Sequence, residues 1–289
     1  MPSKRPVVVL VLRLLLAAVF MVSAVAKLFA IDDFELYVFS YGFFSLNASY
    51  LVARVCIAVE FLVGLFLALG WWARWVQLLA LAMLLFFSLF LCYAALVGRT
   101  DSCQCFGRLA DFNPAQSLLK NALLIVLVLL LVRFYRPLGF PKPSKIRVVL
   151  SIVFVLASFV AVFCISVPDN WLYGGEESRY DKVLLEEAVS PGGALAEEGL
   201  AEGHQLVAFV TPGCPYCRMT REKLSSIASR HHLDTASIHY YEPQELPDGL
   251  FLQITYGQRP LILLLDNGVP VVTYHYRNIN EKEIEGFLR

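Results

Sequence analysis

Charged residues are scarcer in this sequence than in a typical soluble protein. Only 17% of its 289 residues are charged and 58% are hydrophobic, whereas about a quarter of the residues in a soluble domain are charged. Because the apolar residues lie in long blocks, their excess indicates a membrane protein rather than a well-filled soluble core. The 24 basic and 24 acidic residues give a formal net charge of +0, which does not favour a nucleic-acid partner.

The sequence also lacks the usual spacing of a metal site, internal repeats and low-complexity tracts. Its seven cysteines and five histidines do not form a Cys-x₂-Cys…His-x₃-His pattern, so no metal site is predicted. The length allows about two domains.

Five apolar blocks are long enough to cross a bilayer, which takes about 20 residues. Each must be helical within lipid, because backbone groups there have no water to bond. The blocks lie at residues 6–28, 49–70, 73–97, 115–134 and 146–167.

Basic residues near the ends of these blocks predict the orientation. Lys4 and Arg5 precede the first block, Arg74 lies in the second loop, and the fourth loop is basic throughout, whereas the first loop is acidic. The positive-inside rule therefore places the N-terminus and the second and fourth loops in the cytoplasm. The third loop and everything after the fifth block then face outward, into the periplasm if the protein is in a bacterial inner membrane. A cleaved signal peptide ending near Ala24-Val25-Ala26 is an alternative for the first block.

From about Pro168 onward the pattern is typical of a soluble domain. The predicted order is β-α-β followed by β-β-α, which makes a small α/β sandwich. The last two strands form a hairpin about Asp266-Asn267-Gly268, and Asn280 caps the last helix. These elements lie at residues 204–210 (strand), 214–230 (helix), 236–242 (strand), 260–276 (hairpin) and 280–289 (helix).

A Cys-x-x-Cys motif, Cys214-Pro215-Tyr216-Cys217, stands between the first predicted strand and its helix. This placement is the redox-active arrangement. A helix N-terminus offers free N–H groups and a positive dipole end to a thiolate, so Cys214 is predicted to be the nucleophile. Cys217, one turn on, is placed to resolve a mixed disulfide. A static disulfide is the alternative, although so short a loop gains little closure entropy.

The segment GQRPLILLLDNG, residues 257–268, follows this motif in the chain. It resembles the part of the thioredoxin fold in which a cis-proline faces the active site, and residues 171–289 as a whole resemble a thioredoxin-like domain. The resemblance implies that Pro260 is the cis-proline and that Arg259, Pro260, Pro215 and Tyr216 line a substrate groove. The Cys-Pro-Tyr-Cys motif is similar to that of glutaredoxins, but their glutathione-binding Gly-Gly-x-Asp is missing. A protein thiol or disulfide is therefore the expected substrate.

A second close pair of cysteines, Cys103 and Cys105, stands in the short polar third loop. On the predicted topology it lies on the same outward face as Cys214 and Cys217, where disulfides persist. Two pairs on one face can exchange through a mixed disulfide. Separate bonds to other cysteines, or a metal, are alternatives for Cys103 and Cys105.

Several residues of the first four blocks, together with the third loop, form a recognisable set: Arg13, Ser23, Lys27, Glu60, Gly64 and the CQCFG sequence at 103–107. On these residues the first 135 positions resemble the MauE/DoxX-type family of redox-associated four-helix membrane proteins. The resemblance implies a link to maturation of disulfide-rich periplasmic enzymes or to quinone-coupled thiol oxidation. Gln104 stands where the family often has Gly.

Ionisable residues inside a membrane are costly and are usually paired or functional. Glu60 has two interpretations: a structural ion pair with Arg13, or proton uptake when a quinone is reduced. The three remaining cysteines are expected to pack as small apolar residues, with a catalytic role for any of them as the alternative, Cys56 and Cys92 being the candidates. The residues concerned are Arg13, Arg54, Glu60, Cys56, Cys92 and Cys164.

The sequence therefore predicts an α-helical transmembrane bundle of about five helices followed by an α/β thioredoxin-like domain. The expected divisions are a four-helix domain at 1–135, a fifth helix and linker at 136–170, and the thioredoxin-like domain at 171–289. The predicted function is a membrane-bound thiol–disulfide oxidoreductase with periplasmic client proteins and lipid as partners. Quinone is the one cofactor that the resemblance suggests. The rival hypothesis is an assembly or maturation factor, of methylamine-utilisation type, for a disulfide-rich redox enzyme.

Overall fold

The structure is a computed structural model that describes residues 5–97, 113–134, 144–172, 178–196, 199–247 and 249–289. Cys103 and Cys105 lie outside these residues. The chain divides into two compact units. The first, here called the helical unit, comprises Met1–Tyr37 and Leu51–Val167, and the second, the α/β unit, comprises Val38–Tyr50 and Pro168–Arg289.

Five long helices match the five predicted spans, and each is long and apolar enough to cross a membrane. The chain is therefore a multi-pass membrane protein. A further helix, α2 (Ile31–Ser40), fills the first loop and was not among the predicted elements. The long helices are α1 (Arg5–Phe29), α3 (Leu46–Leu69), α4 (Ala73–Leu96), α5 (Pro114–Phe134) and α6 (Lys145–Ile165).

The core of the helical unit is built by α1, α3, α4 and α5, which share one cluster of buried apolar side chains. Gly64 allows α1 and α3 to approach closely. A Cβ at this position would stand 3.0 Å from the Ala17 carbonyl oxygen and 3.0 Å from the Met21 nitrogen, which are backbone atoms that cannot easily move. Contacts of this kind are typical of membrane helices, where small residues let backbones pack together.

Two buried ion pairs connect the helices of this unit. Lys27 Nζ lies 2.7 Å from Glu60 Oε2 and also donates to Ser23 Oγ. The sequence analysis considered Arg13 as the partner of Glu60, but the structure pairs Glu60 with Lys27. Lys27 lies in the last turn of α1, two residues from its C-terminal end, and reaches the Glu60 side chain from the same helix that carries Arg13. The sequence pattern gave no basis for choosing between these two cations.

Arg54 forms the second buried pair and holds three segments together. Its side chain is 1% exposed and bonds to Glu35 on α2. It also donates from Nε to the Ser166 carbonyl oxygen at 2.7 Å and from Nη2 to the Val167 carbonyl oxygen at 3.0 Å. These carbonyls follow the last turn of α6, where a cation satisfies acceptors that the helix leaves without partners.

The α/β unit contains a four-stranded sheet in the order β2-β1-β3-β4. β1 and β2 are parallel, and β3 is antiparallel to both β1 and β4. All four predicted strands are confirmed, at β1 (His204–Phe209), β2 (Ile238–Tyr241), β3 (Leu261–Asp266) and β4 (Val269–Tyr274). The β3–β4 turn has positive φ at Asn267 and Gly268, the conformation that Asn-Gly hairpin turns favour.

Helices cover both faces of this sheet, as the predicted sandwich requires. The predicted helices are present as α9 (Pro215–His231) and α11 (Glu281–Leu288), and Asn280 caps α11 by accepting from the Glu283 N–H. The opposite face packs against α8 (Lys182–Val189) and α10 (Leu250–Thr255). Neither of these helices was predicted, and nor was the short α7 (Asp169–Leu172). Strand order and helix placement agree with a thioredoxin-like domain.

Residues 38–50, here called the inserted segment, pack within the α/β unit although they come from between α1 and α6 in sequence. The Arg230 guanidinium lies 4.4 Å from the centroid of the Phe39 ring and donates to the Phe39 carbonyl oxygen. Glu281 accepts from the Leu46 N–H at 2.8 Å and from Arg230 at 2.6 Å. The domain surface around α9 and α11 is therefore completed by a distant part of the chain.

The inserted segment also reaches the helix that carries the Cys-x-x-Cys motif. Lys223 on α9 is 3% exposed, and its Nζ lies 3.4 Å from the Tyr50 hydroxyl and 5.7 Å from the centre of its ring. Tyr50 in turn donates to the Arg277 carbonyl oxygen at 3.0 Å. A buried lysine needs such partners, because an unpaired buried charge is strongly unfavourable.

Replacement of Gly64 by Leu is expected to destabilise the helical unit by about 1–3 kcal/mol, because the new side chain meets the α1 backbone. Thermal unfolding of the purified protein in detergent measures the loss. Ala157→Leu, at an exposed position on α6, is the matched control and should have little effect. Equal losses in both variants would contradict close packing at Gly64.

Acid should weaken the contact between the inserted segment and α11. Burial alone would raise the pKa of Glu281, but the Leu46 N–H, His231 and Arg230 outweigh it and hold the pKa below its ordinary value. A lowered folded-state pKa contributes stability above the unfolded pKa, near 4.5, and loses it as the pH falls further.

The full-length protein should therefore unfold at lower urea concentration as the pH falls below about 4.5. Glu281→Gln should reduce this dependence and cost about 2 kcal/mol at neutral pH. Glu186→Gln, at an exposed ion pair on α8, is the control. An unchanged pH profile in Glu281→Gln would show that this carboxylate does not hold the segment.

Candidate thiol–disulfide site

Cys214 and Cys217 lie at the N-terminus of α9, as the motif predicted. Cys214 is the N-cap residue, with extended backbone angles, and Pro215 begins the helix. Its sulfur accepts a hydrogen bond from the Cys217 N–H at 3.3 Å. A helix begins here because proline suits the first helical position, where no N–H is needed. The Cys214 sulfur is thus placed where unpaired N–H groups and the helix dipole stabilise negative charge.

The two sulfurs of the motif have different environments. Both cysteines are free thiols, with Cys214 partly exposed and Cys217 only 2% exposed. Burial, together with the hydrogen bond involving Cys214, raises the pKa of the Cys217 thiol to about 12. Cys217 is therefore protonated and shielded at neutral pH, while Cys214 is the sulfur that a partner can reach.

Residues from two other segments lie beside the motif. The Thr211 N–H points at the Cys217 sulfur at 3.4 Å, and the charge of Arg259 partly opposes the rise in the Cys217 pKa. The Arg259–Pro260 peptide bond is cis, as the resemblance implied, with Pro260 buried and Arg259 exposed. The residues expected to line a groove around Cys214 thus include an exposed cation.

A second side of the site was missed by sequence reasoning. The Tyr216 ring lies 4.7 Å from the Tyr276 ring, and the Arg277 guanidinium lies 5.9 Å from Tyr216 and 5.5 Å from Tyr276. Arg277 is held by Asp169 at 3.2 Å. The sequence TYHYR, residues 273–277, was predicted only as the end of a hairpin at 260–276, because strand periodicity does not show which residues approach the motif.

The candidate residues of the helical unit differ in their contacts and in their exposure. Glu60 is bonded to Lys27, and Cys56 lies one helical turn before it on α3. Cys92 and Cys164 are exposed on their helices, which places them at the lipid-facing surface of apolar segments. Arg13 lies against Gly70 at the turn between α3 and α4. Both Cys92 and Cys164 are free cysteines.

Comparisons with known proteins agree with this architecture. Residues 5–134 match the family model described as methylamine utilisation protein MauE. Protein TlpB of Flavobacterium psychrophilum is 22% identical over 268 residues, which cover 76% of this chain and 72% of TlpB. No solved structure gives a significant match.

The family match begins with α1 and ends at the last residue of α5, so it covers the four helices that share one core. The sheet, with its Cys-x-x-Cys motif, lies beyond it. Residues 5–134 of this multi-pass membrane protein are therefore similar to the MauE family, and an α/β domain with a thioredoxin-like strand order follows them in the chain.

Proposed function

We propose that the protein is a membrane-bound thiol–disulfide oxidoreductase that acts on client proteins through Cys214 and Cys217. The MauE match and the similarity to TlpB support a redox or maturation role at the membrane. The observation that carries the proposal is the asymmetry of the two thiols. A partly exposed sulfur caps α9, and a buried, protonated sulfur lies one turn below it.

This asymmetry assigns a step to each sulfur. In client reduction, the Cys214 thiolate attacks a client disulfide, which forms a mixed disulfide and releases one client thiolate. Cys217 then loses its proton and attacks Cys214, so that the second client thiolate leaves and the Cys214–Cys217 disulfide forms. Two electrons pass to the client. Client oxidation is the same sequence in reverse, and the relative reduction potentials decide the direction.

The surroundings of Cys214 suit a polypeptide client. Arg259 and Tyr216 are exposed beside the motif, and the Tyr276 and Arg277 side chains extend that surface. Aromatic rings and arginine side chains are the groups most enriched where proteins bind one another. We assign client contact to this surface.

The proposal includes a second redox pair, Cys103 and Cys105, which renews the first. Both pairs lie on the outward side of the topology that the basic residues predict, in the periplasm of a bacterium. Electrons would pass between the pairs through a transient disulfide between one cysteine of each. A quinone in the membrane is the chemical class of partner that would exchange two electrons with the loop pair.

The MauE family description also supports a second candidate function, maturation of a redox enzyme used in methylamine utilisation. In that case the α/β unit binds the enzyme during assembly, and its cysteines need not turn over. The two candidates differ in one measurable property. An oxidoreductase cycles Cys214 and Cys217 with repeated turnover of a client dithiol or disulfide, whereas an assembly factor binds its enzyme without net thiol chemistry.

Cys217→Ser should convert the protein into a trap for clients. Cys214 then forms mixed disulfides that no second sulfur can resolve, and these complexes should accumulate on non-reducing gels. In the reduced wild-type protein near pH 8, iodoacetamide should label Cys214, while Cys217 labelling rises only as the pH approaches about 12. Peptide mass mapping distinguishes the two sites.

The double variant Cys214→Ser, Cys217→Ser is the control and should trap no client. Faster labelling of Cys217 than of Cys214 would contradict the roles assigned to the two sulfurs. Absence of trapped clients, with normal labelling of Cys214, would favour the assembly function.

The relay predicts a specific cross-link. With Cys217 and one of the two loop cysteines changed to Ser, oxidising conditions should join Cys214 to the remaining loop cysteine. Proteolysis followed by mass spectrometry identifies the linked peptide. Cys164→Ser in the same background is the control and should leave the yield unchanged. If Cys214 still traps clients but no link to Cys103 or Cys105 forms, the two pairs are not a relay.

A further inference from the structure

Arg13 is a cation within the helical unit, and no acidic side chain among the residues that the structure describes forms an ion pair with it. It reaches the turn between α3 and α4, where a Cβ on Gly70 would lie 2.1 Å from its Nη1 atom. A side chain at this position would displace the end of the Arg13 side chain, and the φ of +68° also favours glycine. The Arg13 Nε atom is buried and has no hydrogen-bond partner. A guanidinium in this position needs an acceptor with negative charge.

The carboxylates of the helical unit do not supply it. Among the residues described, Glu60 is bonded to Lys27 and Glu35 to Arg54. The other two, Asp32 and Asp33, lie in the first turn of α2, beyond the far end of α1. Eighteen residues of helix separate Arg13 from the start of α2, about 27 Å at 1.5 Å per residue. No acidic side chain in the described part of this unit is therefore placed to neutralise Arg13.

Among the residues described, two further arginines lie on helical turns next to the α3–α4 turn. Trp72 donates from Nε1 to Ser151 Oγ at 2.9 Å, which places the first turns of α6 beside the α3–α4 turn. Ser151 Oγ donates to the Arg147 carbonyl oxygen at 2.8 Å, so Arg147 lies one helical turn away. Arg74 is exposed in the first turn of α4. Their positive charges add to the need for an anion.

The aromatic residues at this turn indicate its depth in a bilayer. Trp71 packs against Phe154 of α6, and Trp75 is 71% exposed on α4. Tryptophan side chains are enriched at the level of lipid headgroups. An anion at that depth is most simply a lipid phosphate, and the planar guanidinium fork binds phosphate with two parallel hydrogen bonds.

We propose that Arg13, with the α3–α4 turn and the start of α6, forms a binding site for the phosphate group of an anionic phospholipid. The lipid supplies the counter-charge that the protein lacks there. The guanidinium of Arg13, with its buried Nε atom, orients the phosphate, and Arg147 and Arg74 add electrostatic attraction. The site is independent of the thiol chemistry of the α/β unit.

Retention of lipid by the purified full-length protein tests this site. The protein in a neutral detergent is titrated with phosphatidylglycerol, phosphatidylcholine or inorganic phosphate, and native mass spectrometry counts the bound molecules. Phosphatidylglycerol should be retained in preference to phosphatidylcholine. Arg13→Gln should weaken phosphatidylglycerol binding about fivefold, and Arg13→Lys by less, because it keeps the charge but loses the planar fork.

Arg133→Gln is the matched control, since Arg133 is an exposed cation in the last turn of α5. It should leave the affinity nearly unchanged, and Arg147→Gln should weaken it, which gives a second variant if Arg13→Gln does not fold. Equal losses in Arg13→Gln and Arg133→Gln would overturn the proposal, because they indicate diffuse attraction. Absence of a preference for phosphatidylglycerol, or full competition by inorganic phosphate, would overturn it as well.

Discussion

A charge placed in an apolar surrounding needs a partner, and this constraint organises the helical unit. Lys27 and Glu60 join α1 to α3, and both side chains are at least nine-tenths buried. Arg54 joins α3 to Glu35 of α2 and to the carbonyls that end α6. A buried ion pair often adds no net stability, since apolar residues of similar volume in its place would stabilise the fold equally well. Because a wrong pairing would leave a buried charge unpaired, the pairs instead favour one arrangement of the helices.

The same constraint explains why the α/β unit includes the inserted segment. Lys223 and Glu281 are buried on helices that would otherwise face solvent, and Tyr50 and the Leu46 N–H lie against them. Arg230 lies between Glu281 and the Phe39 ring. The surface formed by α9 and α11 is thereby covered, whereas the N-terminal end of α9, with Cys214, stays accessible.

The chemistry of the thiol site follows from a difference in burial over a single helical turn. Cys214 and Cys217 are three residues apart, yet one caps the helix and the other lies beneath it against the Thr211 N–H. Burial favours the neutral thiol, and the helix terminus favours a thiolate. The proposed roles of the two sulfurs rest on this difference: the exposed sulfur attacks and the buried sulfur resolves.

Local pattern determined much of this architecture before any tertiary contact was known. Apolar blocks of membrane length, strand alternation, the Asn-Gly turn and the Asn280 cap depend on neighbours within a few residues, and the structure has all of them. The motif at the start of α9 and the cis bond before Pro260 were also within reach of the sequence.

Tertiary structure alone decided which distant groups meet. The choice of Lys27 over Arg13 as the partner of Glu60, the burial of Cys217, and the approach of Tyr276 and Arg277 to Tyr216 depend on how helices and strands pack. The inserted segment is the clearest case, because its contacts with α9 and α11 span about two hundred positions of sequence that no periodicity relates. Spacing along the chain specifies which face a residue occupies; only packing specifies what lies against that face.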